Sequence, residues 1–206
     1  MIEHIITILL TAVPAIVLHE VAHGWAAFKL GDPTARNMGR LTLNPLKHVD
    51  PFGTVILPMM LYLPYLMGWS KVPFVFGYAK PVPFNPARLG NPRRDIMLVR
   101  LAGPLVNLLL AFLCTRLALL LGQGFLVKPL VTAAMFNLAL TFFNLIPIPP
   151  LDGSGIWYAV LPGRLLRLVV KLDGMIGLVL VFILLQVGCF DFMSELIYGA
   201  LRLMGL

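Results

Sequence analysis

His19, Glu20 and His23 fall within the stretch AIVLHEVAHGW at residues 15–25. Two imidazoles four residues apart share one face of a helix, one turn from each other. Such a pair can bind a single tetrahedral zinc ion through ring nitrogens. Glu20 follows the first imidazole and projects beside that position without being a ligand. From there its carboxylate can take a proton from water.

The surroundings make this triad informative. The apolar run from Ile5 to Phe28 is 24 residues long, enough to cross a bilayer core of about 30 Å. An ionised carboxylate near the bilayer centre costs about 2.5–3.5 kcal/mol on insertion scales, so it is paired, metal-bound or facing a wet cavity. Three readings fit: a zinc centre, a polar triad bonded to neighbouring helices, and a proton or ion relay in a transporter. His19 lies nine residues before Phe28, or about 14 Å at a helical rise of ~1.5 Å per residue. A metal there would sit below the membrane surface, reached from the cytoplasmic side. Pro14, one turn earlier, predicts a bend.

A catalytic zinc needs a third protein ligand and leaves the fourth position to water. Asp32, His48 and Asp50 in the first polar loop are candidates, and so is Asp152 in FFNLIPIPPLDGSG. Pro147, Pro149 and Pro150 preclude a regular helix there. Irregular backbone at membrane depth is tolerated where protein or water surrounds it, so Asp152 is favoured; the alternative is an Asp-Gly turn with a solvated carboxylate.

The elements that must position these groups follow from composition and charge. The chain has 206 residues, 59% hydrophobic and 12% charged, with a mean hydropathy of +0.91, which predicts an all-α polytopic membrane protein. Strong spans are expected at 5–28, 97–121, 128–147 and 174–190. The start, MIEHIITILL, reads as a retained span because it lacks a basic segment and a small-residue cleavage site. The stretch 52–69 is apolar but broken by Pro58 and Pro64. Were it to cross once, the basic loops 29–50 and 71–100 would face opposite sides. A re-entrant or interfacial hairpin instead puts both on the cytoplasmic side with 163–171, and thirteen of the sixteen Lys and Arg with them, as positive-inside orientation requires. The net charge of +7 is thus a topology signal, and no nucleic-acid motif accompanies it. RNMGRLTLNP and KVPFVFGYAKPVPFNP place β-formers between breakers, predicting a small membrane-associated β-hairpin or sheet. The tail from Asp191 reads as an amphipathic helix on the membrane. Cys114 and Cys189 read as buried thiols. The whole, 1–206, reads as one integral-membrane domain, with a core at about 5–160 and C-terminal helices at 174–206.

HEVAH, LAGPLVN at 101–107 and NLIPIPPLDG at 144–153 together resemble the site-2 protease family of intramembrane zinc metalloproteases. LNPLKHVDPFG and YAKPVPFNP look like its compact prokaryotic branch, without PDZ or CBS domains. The resemblance implies one zinc per chain held by His19, His23 and Asp152, with Glu20 as general base. It implies that Asn144 stabilises the oxyanion or holds the substrate backbone, and that the substrates are transmembrane proteins in the lipid bilayer of a prokaryotic cell membrane, the metal lying toward the cytoplasm. Asn107 reads as structural, and Gly103-Pro104 as the start of its helix. A substrate helix must unwind to expose a carbonyl, and an edge strand within 71–86 could replace its lost bonds by strand addition. A metal or proton transporter and a non-catalytic zinc scaffold are the rivals. The transporter predicts internal repeats, and none is visible; the scaffold has no need of Glu20.

Overall fold

The computed structural model describes residues 2–69 and 77–206. Every regular element among them is helical. α1 (Ile2–Lys29) runs through Pro14 without ending. Its C-terminal end carries Trp25, with the Lys29 ammonium 5.4 Å from the ring centroid. A four-residue α2 (Thr34–Asn37) follows. A π-helical turn, Pro51–Ile56, then leads directly into α3 (Leu57–Leu66). α4 (Pro92–Leu121) is the longest helix, and α5 (Val127–Asn144) returns antiparallel to it. The short α6 (Gly155–Val160), α7 (Gly163–Leu172), α8 (Met175–Gln186) and α9 (Met193–Leu203) complete the chain.

α4 is the organising element. The Asn91 side chain accepts from the Arg94 amide at its start, Pro92 occupies the first turn, and Gly122 at φ +63° ends it. The Asp95 carboxylate returns to the Asn91 amide at 2.7 Å, so the first turn is closed from both directions. Asp95, Val99, Gly103, Asn107, Ala111 and Thr115 are all buried. That is a stripe of every fourth residue facing α1 and α5. Most of its side chains are small, and Ala15, Ala22 and Ala27 of α1 and Ala134 of α5 are buried as well. Small residues let helix backbones approach where lipid offers no hydrophobic drive between helices. A second cluster of Ala111, Ala134, Leu138 and Leu201 docks α9 against the α4–α5 pair.

Three expectations are corrected. The β-hairpin or sheet is absent: no strand occurs among the described residues, and residues 70–76, part of the expected strand at 71–86, lie outside them. Residues 77–85 run without regular structure, held by single bonds rather than a ladder. The Tyr78 amide donates to the Gly53 carbonyl at 3.0 Å and the Lys80 amide to the His48 carbonyl at 2.9 Å. Pro81, Pro83 and Pro86 have no N–H to donate, which is why isolated anchors replace a paired strand.

Among the described residues, fewer helices than the four expected are long and apolar enough to cross. Among the described residues two helices, α4 and α5, are long and apolar enough to cross a membrane, or three if α7 and α8 form one span bent by 72°. Gly174, at φ +98°, sits at that bend, where the basic stretch 163–171 gives way to the span expected at 174–190, of which α8 covers twelve residues.

Finally, 52–69 is no hairpin. The six-residue π turn and ten-residue α3 form one uninterrupted helical run. It is about 24 Å long at a rise of ~1.5 Å per residue, short of a bilayer core. Phe52, Val55, Ile56, Met59, Met60, Leu63 and Leu66 along it are exposed.

Candidate metal centre

Three ligand-type atoms converge where α1, α4 and the loop after α5 meet. His19 Nε2 lies 3.0 Å from Asp152 Oδ2, His23 Nε2 lies 3.3 Å from the same oxygen, and the two Nε2 atoms are 3.0 Å apart. Donor atoms about 2.0–2.1 Å from a tetrahedral ion stand about 3.3–3.4 Å from one another, so the observed triangle is close to that spacing.

The protonation pattern follows from the outer bonds. His19 Nδ1 is 2.5 Å from Asn107 Oδ1, an acceptor whose amide nitrogen is committed to Ala15 O at 3.2 Å and Asn137 Oδ1 at 2.8 Å. His23 Nδ1 is 2.7 Å from the Val99 carbonyl. Both acceptors require a proton on Nδ1, which leaves a lone pair on each Nε2. Asp152 Oδ2 is buried and has no hydrogen-bond partner. Two lone pairs and a buried carboxylate oxygen aimed at one point lack any donor between them, and a divalent cation satisfies all three.

Local structure explains how the chain reaches this point. α1 supplies both imidazoles from successive turns. α4 supports them with Val99 and Asn107, and between these lies Gly103. A Cβ on Gly103 would stand 2.5 Å from His23 Nε2 and 2.6 and 2.7 Å from His19 Cε1 and Nε2, so only glycine admits the pair. Gly103-Pro104 therefore does not start a helix, as the sequence suggested, but lies within α4. Asp152 arrives from a loop that folds back onto the end of α5. The Trp157 indole N–H donates to the Pro147 carbonyl at 2.7 Å. The turn at Gly153 is so close that a Cβ would lie 2.1 Å from the Leu145 oxygen.

The other sequence candidates are engaged elsewhere. Asp32 is buried and accepts from the Thr34 amide at 3.0 Å and the Asn85 amide at 2.5 Å. Burial pushes its carboxyl upward, but the Thr34 hydroxyl, the Asn85 and Thr34 amides and the Arg88 charge outweigh this and hold it below the ordinary value. His48 Nε2 bonds the Thr42 carbonyl at 2.9 Å, and Asp50 accepts from the Gly53 amide at 2.7 Å. Glu20 lies beside the triangle, its Oε2 accepting the Val82 amide at 2.8 Å. Segment 77–85 is thereby tied to α1, with Arg40 Nη2 donating to the Lys80 carbonyl at 2.7 Å. Asn144 ends α5 with Nδ2 donating to its own helix, at Leu140 O, 3.0 Å away.

Sequence reading missed the supporting roles of Val99 and Asn137, and it read Asn107 as structural without its bond to His19. A backbone carbonyl leaves no trace in sequence. Asn107 and Asn137 did leave one, as rare amides in apolar helices, where polar side chains need internal partners.

Two imidazoles and a carboxylate gathered beside a glutamate, within a helical membrane protein, are the groups a metallopeptidase requires. The chain belongs to peptidase family M50, whose family model matches residues 120–185. It is 38% identical over 165 residues to "Putative zinc metalloprotease YwhC" of Bacillus subtilis, covering 75% of this chain and 69% of that protein. It is 33% identical over 142 residues to "Putative zinc metalloprotease Rip2" of Mycobacterium tuberculosis, covering 68% of this chain and 51% of that protein. The chain thus spans about half the length of its mycobacterial relatives. No solved structure matches it.

Proposed function

We propose that this chain is an intramembrane zinc endopeptidase that hydrolyses peptide bonds within or near transmembrane segments of membrane proteins. In this reading His19, His23 and Asp152 hold one zinc ion, and residues 1–206 act as one membrane-embedded unit. The observation that carries it is the convergence of His19 Nε2, His23 Nε2 and the partnerless Asp152 Oδ2 within 4.8 Å, with both Nδ1 atoms already committed.

Bound zinc supplies Lewis acidity toward the scissile carbonyl and the attacking water. The rest falls to the chain. Glu20 accepts the water proton and passes it to the leaving amine. Its Oε2 is held by Val82, so Oε1 is the oxygen that exchanges the proton. Asn107 and Val99 keep the imidazoles in the tautomer that presents Nε2. Asn144 serves the oxyanion in this reading once its amide leaves the Leu140 carbonyl. The site opens toward the cytoplasmic face of a prokaryotic cell membrane. Support for that orientation comes from the Lys29 ammonium over the Trp25 ring near the C-terminal end of α1, a pairing suited to a membrane–water interface, and from the basic loop that follows.

The test uses purified full-length chain in proteoliposomes with a single-span model substrate and metal analysis by mass spectrometry. Glu20→Gln is expected to retain one zinc and lose about 10²–10⁴-fold in cleavage rate, the usual worth of a general base. His19→Ala is expected to lose both metal and cleavage. Wild-type cleavage by Glu20→Gln removes that residue from the mechanism; full zinc in His19→Ala removes the ligand assignment.

A further inference from the structure

Arg100 stands one residue from Val99 on α4 and belongs to no part of the mechanism above. Its guanidinium is largely buried, at 13% exposure. Nη1 donates to Ser154 Oγ at 2.6 Å and reaches the Leu151 carbonyl at 3.4 Å. Those two acceptors flank Asp152. Nη2 pairs with the Asp173 carboxylate, and the guanidinium carbon lies 5.4 Å from the centre of the Tyr158 ring. The Tyr158 hydroxyl in turn donates to Asp173 at 3.4 Å. Ser154 is fully buried. Gly155 lets the arginine lie flat on the turn, since a Cβ there would be 3.0 Å from Arg100 Cβ and Cδ.

We infer that Arg100 is a positioning residue for Asp152, clamping the Leu151–Ser154 turn onto α4 so that the carboxylate oxygen meets the two imidazoles. The inference rests on the reading of Asp152 as a metal ligand. A carboxylate at the start of a single 3₁₀ turn, Asp152–Ser154, after a Pro-rich loop lacks the long helix that fixes His19 and His23. The arginine supplies the missing rigidity through its planar guanidinium, whose Nη1 reaches both sides of the turn while Nη2 is anchored on Asp173. Asp173, at the bend between α7 and α8, holds the guanidinium from behind. All three ligands are then referred to one helix: His23 through Val99, His19 through Asn107 and Asp152 through Arg100.

The experiment measures zinc affinity of the purified full-length chain by chelator competition, together with the visible absorption of the Co²⁺-substituted protein. In Arg100→Met, zinc affinity is expected to fall about 10–100-fold, the range for loss of an outer-shell partner, with altered Co²⁺ bands and the helical circular dichroism retained. Arg100→Lys is expected to recover part of the affinity through a single donor. Ser154→Ala, which leaves the Asp173 pair intact, is expected to weaken zinc in the same direction, and it decides the matter should Arg100→Met not fold. Wild-type zinc affinity and Co²⁺ spectrum in folded Arg100→Met, or in Ser154→Ala where the former does not fold, overturns the inference. His19→Ala run in parallel separates the two failures: if it keeps full zinc affinity, the ligand assignment fails and not the clamp alone.

Discussion

Gly103→Ala sets two local effects against each other. In an exposed helix interior the change would stabilise by up to about 1 kcal/mol, because alanine restricts the unfolded backbone and glycine does not. Here the added methyl would lie 2.5–2.7 Å from the two imidazoles, where ordinary contact between such heavy atoms begins at about 3.5 Å. The rings must therefore retreat by about 1 Å. They are held from behind by Asn107 and the Val99 carbonyl at 2.5 and 2.7 Å, so retreat breaks or stretches those bonds, at about 1–3 kcal/mol for each buried group left unpaired. The clash outweighs the helix gain. A metal site tolerates ligand displacements of only about 0.2 Å, so zinc affinity should fall at least as far as for outer-shell losses, about 10–100-fold. The assay is chelator competition for zinc on the purified variant, with thermal unfolding in detergent and cleavage of a single-span substrate. Folded Gly103→Ala that binds zinc with wild-type affinity and cleaves normally would refute the packing argument, and with it the placement of both imidazoles against α4.

Asn107→Ala should weaken zinc about 10–100-fold by freeing the His19 tautomer, and should lower stability by about 1–3 kcal/mol because the Ala15 carbonyl and Asn137 amide oxygen lose their donor. Chelator competition and detergent unfolding read the two effects separately, and a variant unchanged in both would exclude Asn107 as the partner that sets His19. Asp32→Asn probes the loop charge through pH. The Asp32 carboxyl titrates below its ordinary value in the folded chain, so its stabilisation is complete above about pH 4 and fades as pH falls through the lower folded value. The stability gap between wild type and Asp32→Asn should accordingly be largest near neutrality and shrink below about pH 4; a gap that widens on acidification contradicts the sign.

Residue types and spacing alone carried the chemistry. HEVAH on an apolar helix, and an Asp-Gly turn after a Pro-broken span, were enough to nominate His19, Glu20, His23 and Asp152. These signals are local: one helix turn fixes the imidazole pair, and the cost of charge in lipid makes its presence meaningful. The membrane class was equally legible, because hydropathy sums over a chain whatever its fold. Pairing was not. The stretch 77–85 has the composition of a strand, yet whether it finds a ladder depends on which backbone groups lie opposite. Glu20, His48 and Gly53 take its amides one at a time. The span expected at 174–190 likewise yields a helix of only twelve residues, Met175–Gln186, a length that composition does not set. Only the tertiary structure shows α4 as the common support of the site. The Val99 carbonyl, the space over Gly103, the Asn107 amide and the Arg100 fork come together because one helix face meets α1 and the Asp152 loop at once. That convergence is a property of three segments distant in sequence, and no residue spacing along the chain encodes it.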